Sequence, residues 1–196
     1  MRLKNYELII EIVAVITGLL SVWFSKKINV LVFPIGIISV LLYVFIFIKN
    51  ELYANAIINF IYFLISVFGW WNWERTNDKS LKSNGKDELK VTFLNKKESV
   101  ISSLLVTLSF FIISITINSD LATKLDYCTS ILGLGGIILT SFKKVENWIF
   151  YLIADIILIP LCIYNGLYLT SIQYLVYTIL AIMGYISWSK EARQNV

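Results

Sequence analysis

The sequence has no histidine, only two cysteines and few charged residues, and each shortage removes a class of function. Without histidine, the chain lacks the commonest general base and metal ligand, so His-dependent hydrolases and His-ligated metal enzymes are excluded for the chain alone. The two cysteines, Cys128 and Cys162, lie within apolar stretches and predict neither a disulfide framework nor a metal site. No Gly-x-x-x-x-Gly-Lys segment occurs, so no ATP-binding loop and no cofactor are expected.

Charged residues make up 15% of the 196 residues, whereas hydrophobic residues make up 58% and the mean hydropathy is +0.75. A soluble domain usually carries about 25% charged residues. The apolar residues form long blocks, each near the ~20 residues that a helix needs to cross the hydrocarbon core. Because helices satisfy their own backbone in lipid, an all-α membrane protein is predicted. The net charge of +4 does not indicate a nucleic-acid partner, since the basic residues flank the apolar blocks.

Seven transmembrane helices are predicted from these blocks. They cover residues 8–24, 28–48, 52–73, 99–117, 125–142, 147–164 and 167–188. The first block follows a basic start but has no small-residue cleavage site before Lys26, so an uncleaved span is favoured over a signal peptide. The only sizeable polar segment, residues 74–98, is typical of a loop.

The basic residues also predict the orientation in a bacterial inner membrane. Of the 17 lysines and arginines, four lie on the N-terminal side of the membrane and thirteen on the other, seven of these in the 74–98 loop. The positive-inside rule therefore places the N-terminus outside and the C-terminus in the cytoplasm. Without that loop the counts are six against four, so much of this prediction depends on the loop.

Part of the sequence occurs twice, because the stretch from Asn50 to Trp73 is echoed 115 residues later, from Asn165 to Trp188. The matched pairs include Tyr62 with Tyr177, Gly69 with Gly184, and Trp73 with Trp188. Such internal symmetry is typical of membrane transporters. Spans 1–3 and 5–7 then form two triplets around span 4, and the even number of intervening spans makes the repeats parallel. The predicted organisation is a first repeat (1–73), a cytoplasmic loop (74–98), a linker helix (99–117) and a second repeat with a short cytoplasmic tail (118–196).

Polar and aromatic residues recur at helical spacing on spans 3 and 7, so each set shares one helical face. The sets are Asn55, Asn59, Tyr62, Ser66, Trp70 and Trp73 on span 3, and Gln173, Tyr177, Gly184 and Trp188 on span 7. Two such stripes are predicted to bound a pathway for a ring-bearing, hydroxylated solute. The alternatives are interhelical hydrogen bonding for the amides and an interfacial aromatic belt for Trp71, Trp73 and Trp188, with either role open for Trp70.

Asp155 lies near the middle of span 6, where an ionised carboxylate costs roughly 2.5–3.5 kcal/mol. A cationic substrate ring would offset much of that cost, so we expect Asp155 to face the pathway. Asn147 and Tyr151 share its face, and Trp148 lies beside them. The alternative role for Asp155 is a structural hydrogen bond to a neighbouring helix.

Two motifs of the second half resemble those of the PnuC-type vitamin transporters. One is Glu-Asn-Trp at residues 146–148, followed by the span through Asp155, and the other is the stretch from 166–170 to Gly184 and Trp188. In the first half, residues 68–73 are similar to that family's aromatic motif at the end of span 3. The resemblance covers nearly the whole chain and implies a SWEET-like fold.

The resemblance also implies a function, namely uptake of nicotinamide riboside, an NAD precursor, by facilitated diffusion. A cytosolic kinase then phosphorylates the vitamin and traps it. Related members carry thiamine, riboflavin or nucleosides, and Asp155 stands where nicotinamide riboside transporters often have asparagine, which keeps thiamine as an alternative. The expected partners are thus a small cationic vitamin, the lipid bilayer and a kinase, and the sequence leaves both a monomer and a homo-oligomer open.

Two other classes of function fit the sequence less well. An intramembrane enzyme would need convergent acids, a metal site or a nucleophile–base pair, whereas the chain offers a lone central acid and no histidine. No catalytic residue is therefore predicted. A receptor or scaffold without transport would explain neither the duplicated stripes nor the buried carboxylate.

Overall fold

The computed structural model describes residues 5–77, 89–116, 118–166 and 168–195, and in these residues the chain forms seven helices. They are α1 (Asn5–Lys26), α2 (Val32–Lys49), α3 (Tyr53–Asn77), α4 (Lys96–Thr116), α5 (Leu121–Ser141), α6 (Asn147–Tyr164) and α7 (Tyr168–Gln194). The only extended pairing in the described residues is an isolated bridge between Thr92 and Lys144. The prediction of an all-α protein is confirmed.

Six of the seven described helices are long and apolar enough to cross a membrane. The exception is α5, where Lys124 and Asp126 lie in the first two turns and three glycines lower the hydropathy further. The predicted loop at 74–98 is too long at both ends, because α3 continues to Asn77 and α4 begins at Lys96. Residues 78–88, the middle of that loop, lie outside the described residues.

The helices expose many large apolar side chains. On α4, seven such residues are each more than half exposed: Val100, Ile101, Leu104, Leu105, Leu108, Phe111 and Ile115. An apolar surface of this extent is unfavourable in water and favourable against lipid tails. The exposed faces therefore identify the chain as a multi-pass membrane protein.

The chain divides into two compact units, residues 1–89 and 90–196. In the first unit α2 packs against both α1 and α3, and in the second α6 packs against both α5 and α7, while α4 packs against α5. The bounds of α2 lie 115 residues before those of α6, and α3 starts 115 residues before α7. The offset found in the sequence thus recurs in the helix bounds, while the parallel arrangement of two repeats in the membrane stays a prediction.

The turns between helices repeat at the same offset. Each unit has one left-handed residue after its first repeat helix, Ile28 (φ 55°) and Lys143 (φ 52°), and another after its second, Glu51 (φ 60°) and Gly166 (φ 73°). Side chains other than glycine rarely adopt this conformation, so its recurrence at matched positions reflects the same turn geometry.

Each unit also contains an edge-to-face aromatic pair between its second and third repeat helices. Phe33 meets Trp73 with ring centroids 5.1 Å apart, and Trp148 meets Trp188 at 5.7 Å. Both tryptophans are buried, so the interfacial-belt interpretation is wrong for Trp73 and Trp188. Trp71, in contrast, is exposed beside the Arg75 guanidinium, as expected of an interfacial residue.

Candidate functional site

The start of α6 contains polar side chains that are fully buried. Asn147 is 0% exposed and Trp148 is 1% exposed. The Trp148 ring contacts Trp188 of α7 and, at 6.1 Å between centroids, Tyr151 one turn along its own helix. Gly184 lets α7 come close to the Trp148 ring, because a Cβ at this position would lie 2.5 Å from that ring.

Asn147 and Trp148 hold polar atoms that are free to bind another group. Among the described residues, both ends of the Asn147 amide and the Trp148 Nε1 are buried and have no hydrogen-bond partner. A buried group left in that state costs about 1–3 kcal/mol, and native proteins usually satisfy it with water or a bound molecule. The amide offers one acceptor and two donor hydrogens, and the indole offers one donor.

Tyr151 occupies a space that a glycine on α5 leaves open. A Cβ at Gly136 would lie 2.5 Å from the Tyr151 ring. The Thr140 hydroxyl donates to the Gly136 carbonyl (2.9 Å) and lies 3.2 Å from the Tyr151 hydroxyl. Since Thr140 has a single hydroxyl hydrogen, Tyr151 is the donor in the second bond, and its oxygen can still accept.

The first unit has the sizes reversed at the matched positions. Ser21 corresponds to Gly136, and Gly36 corresponds to Tyr151. A Cβ at Gly36 would lie 2.8 Å from the Ser21 hydroxyl, which donates to the Val32 carbonyl at 2.7 Å. The first unit therefore uses this position for close helix packing, whereas the second uses it for a phenol.

Asp155 lies one turn beyond Tyr151 and is 7% exposed. In the part of the chain that the structure describes, no hydrogen bond or ion pair reaches its carboxylate. The structural hydrogen bond that the sequence left open is thus not observed there. The matched residue of the first unit is Val40, so the acid belongs to the second unit alone.

The predicted stripe on α7 contains a hydrogen-bonded pair. Gln173 Nε2 donates to the Tyr177 hydroxyl at 3.1 Å, and the Tyr177 ring meets Tyr174 edge to face. Both Gln173 and Tyr177 are half-buried. The pair therefore combines an amide oxygen, which accepts no hydrogen bond from the described residues, with an aromatic face on one side of α7.

The predicted stripe on α3 lies in the first unit. Asn59 Nδ2 donates to the Asn55 carbonyl of its own helix at 2.9 Å, and its amide oxygen is not used in that bond. Ser66 is buried, whereas Tyr62 and Trp70 are half-buried. These four residues share one helical face, as their spacing predicts.

Sequence reasoning missed Thr140, and Glu146 was noticed only as part of a motif. A threonine within an apolar span carries little signal by itself, but the 115-residue offset pairs Thr140 with Ser25 and marks the position as polar in both units. The hydrogen bonds of Glu146, described below, join residues 52 positions apart, which no local pattern predicts.

Comparisons with known proteins match nearly the whole chain. The family model for nicotinamide mononucleotide transporters matches residues 8–190. The chain is 25% identical to the nicotinamide riboside transporter PnuC of Escherichia coli K12, over 95% of this chain and 87% of that protein. The same values hold for the PnuC of Shigella flexneri. A crystal structure of the vitamin B3 transporter PnuC superposes with a TM-score of 0.74 at 21% identity, covering 98% of this chain and 85% of that one, and so shares the fold.

Proposed function

We propose that this chain, which belongs to the nicotinamide mononucleotide transporter family, carries nicotinamide riboside across the membrane. Membership of that family makes it a membrane transporter rather than an enzyme, as the sequence predicted. The observation that carries the substrate proposal is the buried Asp155 carboxylate, which has no partner among the described residues. The nicotinamide ring of the riboside is cationic, so a bound substrate offsets the cost of that charge.

The charge of Asp155 also bears on which form of the vitamin is carried. The family description names the mononucleotide, whereas the relatives' names specify the riboside. The mononucleotide adds a phosphate, which carries about −1.5 to −2 charges near pH 7. The stripe of Asn147, Tyr151 and Asp155 on α6 contains no cation to balance it. The riboside therefore fits this site better.

The neighbouring polar atoms fit the remainder of the riboside. Asn147 offers both donors and an acceptor in buried surroundings, and Tyr151 retains an accepting oxygen. Such groups complement a carboxamide or ribose hydroxyls, and the aromatic rings give stacking surfaces. The proposed substrate residues are Asn147, Trp148, Tyr151, Asp155, Gln173 and Tyr177 in the second unit, and Asn59, Tyr62, Ser66 and Trp70 in the first.

Transport proceeds by facilitated diffusion, and phosphorylation by a cytosolic kinase retains the vitamin in the cell. The sequence supports passive transport, because no phosphate-binding loop for ATP occurs in it. The excess of basic residues in and beside the 74–98 loop supports a bacterial inner-membrane protein with its N-terminus outside.

Thiamine is the second candidate substrate, and Asp155 is the observation that favours it. Its thiazolium ring is cationic, so the same carboxylate would stabilise it. Riboflavin and most nucleosides lack a fixed positive charge and gain nothing from the acid.

Uptake into proteoliposomes tests the function directly. Vesicles are loaded with ATP and a nicotinamide riboside kinase, and uptake of labelled nicotinamide riboside is measured with and without excess thiamine. We expect accumulation that requires both transporter and kinase, is lost in Asp155→Asn and persists in Asp126→Asn, an acid on α5. If excess thiamine abolishes the uptake, the preferred substrate is thiamine, and if no labelled nicotinamide riboside accumulates, the proposal is refuted.

A further inference from the structure

Glu146 immediately precedes the two buried residues at the start of α6. Both of its carboxylate oxygens lie 3.0 Å from the Leu94 backbone nitrogen, whose N–H donates to them. Glu146 occupies the N-cap position of α6, yet its side chain makes no capping hydrogen bond to that helix. Its carboxylate instead binds a segment 52 residues earlier in the chain.

That segment, residues 91–95, is here named the strap, and it runs along the turn that precedes α6. Thr92 N donates to the Lys143 carbonyl at 3.2 Å, and Val145 N donates to the Thr92 carbonyl at 3.0 Å. Val91 of the strap and Val145 of the turn are both buried. Backbone hydrogen bonds and apolar burial thus hold the strap to the turn.

Two further contacts attach the strap and the start of α4 to other parts of the second unit. The Lys144 ammonium lies 2.9 Å from the Glu98 carboxylate in the first turn of α4, and Asn195 Nδ2 donates to the Val91 carbonyl at 3.3 Å. The Lys144–Glu98 pair is partly exposed and therefore weakened by water and salt. The bonds of the strap to Glu146 and to the turn are the stronger linkage, since a carboxylate receiving a backbone N–H forms a charge-assisted bond.

The first unit closes its matched turn locally. Leu31 stands at the position of Glu146 and is exposed, and its backbone N–H donates to Asn29 Oδ1 at 2.9 Å. A leucine side chain has no polar atom and cannot bind a neighbouring backbone by hydrogen bonds. The acid at position 146 is therefore a feature of the unit that also contains Asp155.

We propose that Glu146 is a positioning residue for the substrate site, holding the strap against the turn so that Asn147 and Trp148 are fixed in place. The amides of residues 147–150 donate to carbonyls of residues 144–146, so the start of α6 depends on the turn that the strap covers. The strap that Glu146 holds leads directly into α4, within the second unit. The inference rests on the proposed function, because substrate affinity is one of its measures.

The test compares Glu146→Ala and Glu146→Gln with a control, Lys144→Met, which removes the ion pair with Glu98 and leaves both the Glu146–Leu94 bonds and the bond from Asn95 N to Glu98 in place. Hydrogen exchange reports on Leu94 and on the amides of 147–150, and calorimetry reports the affinity for nicotinamide riboside. In Glu146→Ala we expect exchange protection to fall at both places and affinity to fall about tenfold. Glu146→Gln keeps an accepting oxygen, so its protection and affinity should lie between those of Glu146→Ala and wild type, while Lys144→Met should resemble wild type.

The outcomes separate the clamp from the proposed function. Unchanged protection of Leu94 in Glu146→Ala, or an unchanged affinity despite lost protection, would overturn the positioning role. If the wild-type protein binds no nicotinamide riboside, the proposed substrate is contradicted. The role of Glu146 is then tested by hydrogen exchange alone. Joint loss of protection at Leu94 and 147–150 supports it, and loss confined to Leu94 refutes it. If Glu146→Ala does not fold, the Gln variant, which has the same shape, is judged by the same two measures.

Discussion

Gly184 of α7 lies against the indole ring of Trp148, at a distance that a Cβ would reduce to 2.5 Å. The contact sets how closely α6 and α7 approach beside the candidate site. Because Trp148 is fully buried, its ring has little room to shift when a methyl group is added.

Gly184→Ala should therefore lower the stability of the protein by about 1–3 kcal/mol, the usual cost of overpacking a core. The measurement is the thermal unfolding midpoint in detergent. Combining Gly184→Ala with Trp148→Phe, which shortens the ring, should cost less than the sum of the single changes, since the two residues are in contact. Additive costs would show that the glycine acts independently of Trp148.

Replacing Asp155 should change how strongly the protein prefers a cationic ligand to one that also carries a phosphate. Nicotinamide riboside should bind wild type more tightly than nicotinamide mononucleotide, because the phosphate and the carboxylate repel each other. Asp155→Asn keeps the size of the side chain and removes the charge, so riboside affinity should fall at least about tenfold and the gap to the mononucleotide should narrow. Calorimetric titration of both ligands measures this difference in affinity. An equal loss of affinity for both ligands would argue against a charge effect.

The hydrogen bond between Tyr151 and Thr140 should be separable from the packing of the Tyr151 ring. Tyr151→Phe and Thr140→Val each remove the bond, at a cost of about 0.5–1.5 kcal/mol for a typical hydrogen bond. Because both changes remove the same bond, the double variant should lose less than the sum of the two. Thermal unfolding of the four proteins gives the coupling, and a coupling of zero would show that the bond contributes nothing.

Glu51 adopts the left-handed conformation (φ 60°) that its matched residue in the second unit, Gly166, adopts without strain. The side chain of Glu51 is exposed, so replacing it loses no buried contact. Glu51→Gly should therefore stabilise the protein by about 1 kcal/mol, the usual strain of a side chain in this conformation. Glu51→Ala is the control and should give no gain, because alanine keeps the Cβ. A destabilised Glu51→Gly would contradict this account.

The spacing of apolar and polar residues predicted the helices and those polar faces that lie on a single helix. The shared face of Asn147, Tyr151 and Asp155 follows from a spacing of four residues, and so does the hydrogen-bonded pair of Gln173 with Tyr177. The 115-residue repeat likewise predicted matching helices, because segments with the same apolar pattern form similar helices.

Contacts between distant segments were beyond reach of the sequence. Trp73 and Trp188 are typical belt residues by their position at helix ends, yet partners on the preceding helix bury both. The clamp between Glu146 and Leu94 depends on a backbone N–H, which every residue but proline possesses, so no side-chain pattern could indicate it. The end of α3 was also predicted too early, since polar residues 74–77 continue the helix beyond the apolar block.

At the matched contact between the first two repeat helices, the larger side chain lies on opposite helices in the two units. This reversal limits the order in which two copies of a duplicated sequence could have diverged. In a copy that starts with serine and glycine, as at Ser21 and Gly36, gaining the tyrosine first would overpack the contact, since a Cβ at the matched Gly136 would lie 2.5 Å from the Tyr151 ring. Losing the serine first leaves only a small void, which a membrane protein can tolerate. From that starting pair, the less costly route to a phenol passes through glycine on both helices, whereas the opposite order passes through an overpacked contact that costs about 1–3 kcal/mol.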